Sequence, residues 1–328
     1  MPTPREIRRR MGSIRNIGQI TRAMELIAVT RLRRAQERVT ASRPYSEKMR
    51  QVLGDLVRRI ELPQEGESRV DAAPATWDAR RGTRDAGPGT GDETELIEGT
   101  LHPLLEGRAV QRVGVLLLTT DRGLCGALNS NTMRTALQYA YGQQNQGRAV
   151  EYIAVGRKGI QALSRLPVTV TAEFTALGDY PTLTRITPIV RVATEAFASR
   201  AVDEVVLVYP RFVSTLRQEP TVVSLLPIQP PREEEGTRRA GGEDYIYEPY
   251  PRAVLAQLLP RFVEVQVYQA VLDTIASEFS ARMVAMRNAT DNAKELLSDL
   301  ELGYNKARQA TITREIIEVS AGANALKR

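Results

Sequence analysis

The sequence predicts an α/β fold combined with a long antiparallel two-helix coiled coil. Three patterns predict it. Apolar or small residues recur at alternating spacings of four and three near the start of the chain. A similar seam runs through its last segment. Between the two, short apolar runs of strand length alternate with stretches of helical periodicity. On this reading the chain divides into 1–61 (first coiled-coil helix), 62–98 (flexible insertion), 99–250 (α/β domain) and 251–328 (last coiled-coil helix).

In the first segment, Ile7, Met11, Ile14, Gly18, Thr21, Glu25, Ala28, Leu32, Ala35 and Val39 fall on a heptad seam. Glu25 is the exception in an otherwise apolar or small row. Ile17, Ile20, Met24 and Ile27 make a second stripe beside it. Pro4 stands where a helix start tolerates proline. Pro44 is expected to bend or interrupt the helix, because it lacks an amide hydrogen and crowds the preceding turn.

In the last segment, Ile275, Phe279, Arg282, Met286, Ala289, Ala293, Leu296, Leu300, Gly303, Ala307, Ala310 and Ile317 carry the matching seam. At about 1.5 Å per residue, some 65 helical residues span roughly 100 Å. That exceeds twice the extent of a compact domain of this size, so the helix must project. A lone projecting helix would leave its seam in water. The first segment is the natural partner, and the domain inserted between them makes the pairing antiparallel.

The middle reads as alternating elements: strand Val110–Thr119, helix Asn129–Gln146, strand Val150–Val155, helix Arg157–Arg165, strand Val168–Phe174, helix Leu183–Arg200, strand Glu204–Tyr209 and an edge strand Pro220–Pro227. Such alternation predicts a mainly parallel sheet. Leu62–Glu98 and Pro230–Gly242 are rich in Gly, Pro and charge, and read as loops.

Composition narrows the function. With one cysteine, Cys125, and one histidine, His102, the chain has no disulfide framework, no cysteine-based zinc site and no histidine pair for a metal. No apolar run reaches the roughly 20 residues of a membrane-spanning helix, so membrane association would go through partners. The loop Thr120-Asp121-Arg122-Gly123-Leu124-Cys125-Gly126 sits after a strand and before a helix, as phosphate-binding loops do. It lacks both the GxxxxGK[ST] and the GxGxxG spacing, and reads as a tight turn and helix start. Cys125 would need a base to become a nucleophile and is expected to be a buried structural residue. No catalytic centre, cofactor site or metal site is expected. Arg5, Arg8, Arg9, Arg10, Arg15, Arg22, Arg31, Arg33, Arg34 and Arg38 make the first helix strongly basic against Glu6, Glu25 and Glu37. Nucleic acid or an acidic protein surface would suit it, but Arg5–Arg38 contains no aromatic residue for base stacking.

The run REIRRRMGSIRNIGQITRAMELIAVTRLRRAQ resembles the start of the gamma subunit of F-type ATP synthases. The run Glu278–Ala321, beginning EFSARMVAMRNATDNAKELL, resembles the end of the same subunit, and TDRGLCGALN and DYIYEP (Asp244–Pro249) match it between. The resemblance covers nearly the whole chain. It implies a Rossmann-like α/β foot inserted between the coiled-coil helices. It also implies a non-catalytic rotor shaft that carries rotation of a membrane c-ring into a hexamer of alpha and beta subunits, with epsilon at the foot and one copy per complex. The location implied is peripheral, on the cytoplasmic face of a bacterial plasma membrane. By matching position, Met24, Glu278, Arg282, Arg308, Gln309, Thr313 and Glu315 are the implied coupling and interface residues. The basic helix would face an acidic lever segment of beta. Relatives are expected to have a far shorter link at 62–98, which is expected to be a loop near the foot tuning the contact with epsilon or the ring. The alternative is a coiled-coil scaffold or nucleic-acid-binding protein that uses the basic helix.

Overall fold

The computed structural model describes residues 3–61, 102–229, 247–248 and 250–326. The expected loops at 62–98 and Pro230–Gly242, and most of DYIYEP, lie outside them. In chain order the elements are α1 (Pro4–Glu61), a short 3-10 turn (Pro103–Leu105), β1 (Arg112–Leu118), α2 (Leu128–Asn145), β2 (Ala149–Val155), α3 (Arg157–Leu163), β3 (Thr169–Phe174), α4 (Leu183–Ala198), β4 (Glu204–Phe212), β5 (Gln218–Leu226) and α5 (Pro251–Leu326).

The five strands form one sheet in the order β3-β2-β1-β4-β5. β2–β3, β1–β2 and β1–β4 pair in parallel, and β5 closes the edge antiparallel to β4. β1 is central, so Val113 through Leu118 is apolar on both faces except at Gly114, as a strand covered on both sides requires. Pro220 of the edge strand stands opposite Pro210 of β4, and proline is tolerated where no further strand needs its missing donor. Alternate residues of the strands supply two cores. Val113, Val115 and Leu117 face α2 and α3. Leu116 and Leu118 belong to the larger core, with α4, the second half of α1 and the first third of α5.

α1 opens on a capping box that the sequence reading overlooked. Thr3 N–H donates to Glu6 Oε2 at 3.1 Å, and Glu6 N–H donates to Thr3 Oγ1 at 3.4 Å, with Pro4 at the first helical position. The helix then runs through Pro44 without interruption, contrary to expectation. Pro44 and Thr40, whose carbonyl loses its donor, are both exposed. The break in the hydrogen-bond ladder therefore faces water, which can solvate the freed carbonyl.

α1 and α5 lie antiparallel. Three contacts fix the register: Thr21 to Thr290, Ser42 to Gln269, and Gly18 against Ala293. The two residue numbers have the same sum in all three pairs, so the helices keep step without a slip. The predicted α1 seam is buried or half-buried at all ten positions. On the part of α5 that faces α1 the prediction needs two changes. Leu296 is 52% exposed, and Leu297 takes the inward position. Thr290 is more buried than the predicted Ala289 beside it. After Ala293 the next inward residue can come three or four positions on, and contact with α1 selects the longer step. On the common register Pro4 is level with Ala307. The rest of α5, 308–326, continues as a single helix, which is why Ala310 and Ile317 are exposed.

The candidate coupling interface at the base of the helix pair

In a doubly wound sheet a ligand sits outside the carboxyl ends of the strands, where the strand order reverses. Here the order reverses between β1 and β4, and α5 lies over the carboxyl ends of both, beside the loop after β1 and, through Ser277, the Pro210 carbonyl of β4. Val271, Thr274, Ile275 and Glu278 of α5 lie over the loop after β1 and leave a cavity of about 50 Å³. A small-molecule pocket typically takes about 300–1,000 Å³.

The loop after β1 is spent on itself. Thr119 Oγ1 donates to the Val155 carbonyl at 2.8 Å and accepts from Gly159 N–H at 2.8 Å. Asp121 accepts Arg157 N–H at 3.1 Å through one oxygen and Ala176 N–H at 3.0 Å through the other. Asn129 accepts Thr120 N–H at 3.1 Å and donates to Thr120 Oγ1 at 2.8 Å. The turn needs left-handed backbone at Leu124 and Gly126. This is the tight turn and helix start that the sequence predicts. Cys125 is buried, as expected, and Asn129 Nδ2 donates to its Sγ at 3.2 Å. Burial, and then the nearby Glu278 carboxylate, push the thiol pKa up, so Cys125 stays protonated.

Charged residues converge around the small cavity. Arg282 donates through Nη2 to Glu278 Oε1 at 2.6 Å and to the Gly123 carbonyl at 3.0 Å, with its guanidinium 5.6 Å from the Phe279 ring centre. Both partners are nearly buried, at 8% for Arg282 and 9% for Glu278. Burial raises the Glu278 pKa, and Arg282 works against that rise. On the other side, Asp179 accepts from Arg31 of α1, and from Arg122 Nη1 at 3.1 Å. Tyr180 follows it: its hydroxyl accepts from Arg34 Nη1 at 3.4 Å, and Arg38 lies 4.3 Å from its ring centre. Further up, Ser277 Oγ donates to the Pro210 carbonyl at 3.0 Å, tying α5 to β4.

The seven residues singled out by sequence do not form one cluster. Glu278 and Arg282 are paired at the base. Met24 is half-buried midway along α1. Arg308, Gln309, Thr313 and Glu315 are all exposed, on the part of α5 that runs beyond α1. Sequence reasoning missed Asp179, Tyr180 and Arg122. One signal was available: Arg31, Arg34 and Arg38 are spaced three and four apart, on one helix face. Part of the basic helix is thus answered within the chain, whereas Arg5, Arg8, Arg9, Arg10 and Arg15 are exposed without an ion pair among the described residues.

A doubly wound foot whose ligand crevice is filled by a helix, and whose helices continue away as a pair, defines an arm-bearing α/β protein. Comparison with known proteins gives the family. The family model described as ATP synthase matches residues 3–326. The chain is 46% identical over 326 residues to the ATP synthase gamma chain of Roseiflexus castenholzii, covering 99% of each. It is 43% identical over 327 residues to that of Chloroflexus aurantiacus, again covering 99% of each. It belongs to the ATP synthase gamma-chain family. These relatives match it end to end, so its overall length is one they share. Among solved structures, a chain of the Euglena gracilis mitochondrial ATP synthase (OSCP/F1/c-ring) aligns at TM-score 0.59 and 20% identity, over 98% of this chain and 94% of that one. A chain of the Tetrahymena thermophila mitochondrial ATP synthase central stalk and c-ring aligns at 0.54 and 19%, over 82% and 99%. At that identity the likeness speaks for the fold. No helix among the described residues is long and apolar enough to cross a membrane.

Proposed function

We propose that this chain is the central rotor shaft of an F1Fo ATP synthase. α1 and α5 form the coiled-coil shaft, and the α/β domain is the foot. Rotation of a c-ring enters at the foot, where epsilon also binds. The shaft delivers it to a hexamer of alpha and beta subunits that holds the catalytic sites. The chain is itself non-catalytic, present once per complex, and held at the cytoplasmic face of a bacterial membrane by its partners.

One observation carries this reading. α5 is a single helix of 76 residues that begins in the core of the foot and outruns α1. At 1.5 Å per residue it is about 114 Å long. An element rooted in one body and exposed at its far end suits transfer of motion across a distance. In this assignment Arg308, Gln309, Thr313 and Glu315 meet the hexamer at the tip, Met24 meets it midway, and Glu278 with Arg282 pins the shaft to the foot. Binding to nucleic acid is the weaker reading, because Arg31, Arg34 and Arg38 are engaged by Asp179 and Tyr180.

The test is reconstitution with an alpha/beta hexamer, with a bead on a cysteine introduced at exposed Gln138 of the foot. ATP should drive unidirectional rotation of the bead. A chain that assembles but never turns, or that is retained on DNA with steep salt dependence instead of assembling, would sink the proposal.

A further inference from the structure

Apolar packing holds the two helices against the foot, but being non-directional it sets their exact rotation less sharply than directional bonds do. What fixes a helix about its own axis is a set of directional bonds off that axis. α5 has several: Ser277 to Pro210, Ser280 to the Thr215 carbonyl, and Arg282 to Gly123. α1 is different. Three of its arginines, Arg31, Arg34 and Arg38, meet one loop, Gly178–Tyr180, between β3 and α4. Asp179 there takes Arg31, and Tyr180 takes Arg34 and Arg38, a span of two helical turns on one face. Asp179 also takes Arg122 of the loop after β1, which through Gly123 holds Arg282 of α5. Both helices are therefore keyed to the foot through neighbouring residues, with Asp179 at the centre. Its carboxylate accepts two guanidinium groups, and its side chain is only 20% exposed.

We infer that Asp179 is a positioning residue that sets the short helix against the foot, adding to the bonds that Thr21 and Ser42 make with α5 along the seam. It acts through Arg31 and Arg122. Charge-assisted bonds suit the task because their geometry is set by the guanidinium fork, and one acceptor can serve two donors. This inference rests on the rotor reading above and adds a direct link between the foot and the short helix.

The experiment uses the assembled complex in sealed vesicles and compares wild type, Asp179→Asn, Asp179→Glu and Arg31→Gln. The readout is protons pumped per ATP hydrolysed, with ATPase rate and amount of assembled enzyme measured alongside. Asp179→Asn should keep hydrolysing ATP while pumping per ATP falls about two- to tenfold, the lower part of the range that a coupled pair in one charge network spans. Arg31→Gln should lose a similar share, and Asp179→Glu should recover most of it. If Asp179→Asn does not assemble, Arg31→Gln alone decides, since that surface change on a long helix is readily folded. The inference is overturned if both variants pump as well as wild type. It is equally overturned if pumping falls only in proportion to assembled enzyme, or if Asp179→Glu does no better than Asp179→Asn. A wild-type complex that hydrolyses ATP but neither rotates nor pumps would instead overturn the rotor reading.

Discussion

Thr21 Oγ1 and Thr290 Oγ1 stand 2.8 Å apart in the buried seam between α1 and α5. Thr290 donates to the Met286 carbonyl at 2.8 Å, which leaves its oxygen free to accept from Thr21. Thr21 has an alternative acceptor in the Gly18 carbonyl at 3.1 Å. Thr290→Val should therefore cost only about 1 kcal/mol, because Thr21 can redirect its proton. In urea unfolding, the double change with Thr21→Val should cost less than the sum of the two single changes. A fully additive double mutant would show that the hydroxyls do not interact.

Arg282→Ala leaves Glu278 buried without its cation. Losing one member of a buried pair costs about 3–5 kcal/mol, so the unfolding midpoint should drop sharply. Replacing Glu278 by Gln at the same time should restore part of it. The tip residues should behave in the opposite way. Arg308→Ala and Gln309→Ala touch exposed positions and should leave unfolding unchanged, yet lower ATP-driven pumping in the assembled complex. Equal stability loss at base and tip would contradict this division.

Asp273 gives a pH test. It is buried on α5, its Oδ1 has no hydrogen-bond partner, and burial pushes its pKa up to about 6 despite Arg43, Arg211 and Gln269. A carboxyl group whose pKa is higher folded than unfolded binds its proton more tightly in the folded chain. Its contribution is therefore best below the ordinary aspartate pKa near 4, and declines as pH rises to about 6. Asp273→Asn should be more stable than wild type at pH 7, by on the order of 2 kcal/mol. That advantage should vanish at pH 4. Thermal unfolding at the two pH values would decide, and an advantage that stayed constant would rule out the titration.

Gly156 and Gly147 separate two costs. Both have positive φ. A Cβ at Gly156 would lie 2.2 Å from the Thr119 carbonyl oxygen, whereas one at Gly147 meets nothing within 4 Å. Gly147→Ala should cost about 1–2 kcal/mol, the penalty of left-handed backbone alone. Gly156→Ala should cost several kcal/mol more, since β1 and β2 must part to admit the methyl group. Comparable midpoints in denaturant would refute the close approach.

Much of this architecture is written locally. The α1 seam was legible at every position because a heptad repeat is a property of a single helix. The strands were found within a few residues because β1, β2 and β4 are nearly pure apolar runs. Phase along α5 was harder. Whether Leu296 or Leu297 turns inward depends on the partner, and nothing within α5 reports it. The base of the arm was half legible. Glu278 and Arg282 come from one helix at i and i+4, whereas Asp179 meets Arg31 across 148 residues of sequence. Pairing at that distance leaves no periodic trace.

The unpaired end of α5 has a consequence for assembly. A single helix of about 19 residues is near the length at which helices in water are only marginally stable. Ile312, Ile316, Ile317 and Val319 are each 47–72% exposed along it. Free in solution, that end should unwind readily and exchange its amide hydrogens quickly. Enclosed by a snug collar of other chains, it would gain both its winding and its cover at once. Its rigidity would then be borrowed from the collar, and the last step in making the arm stiff would be putting it inside.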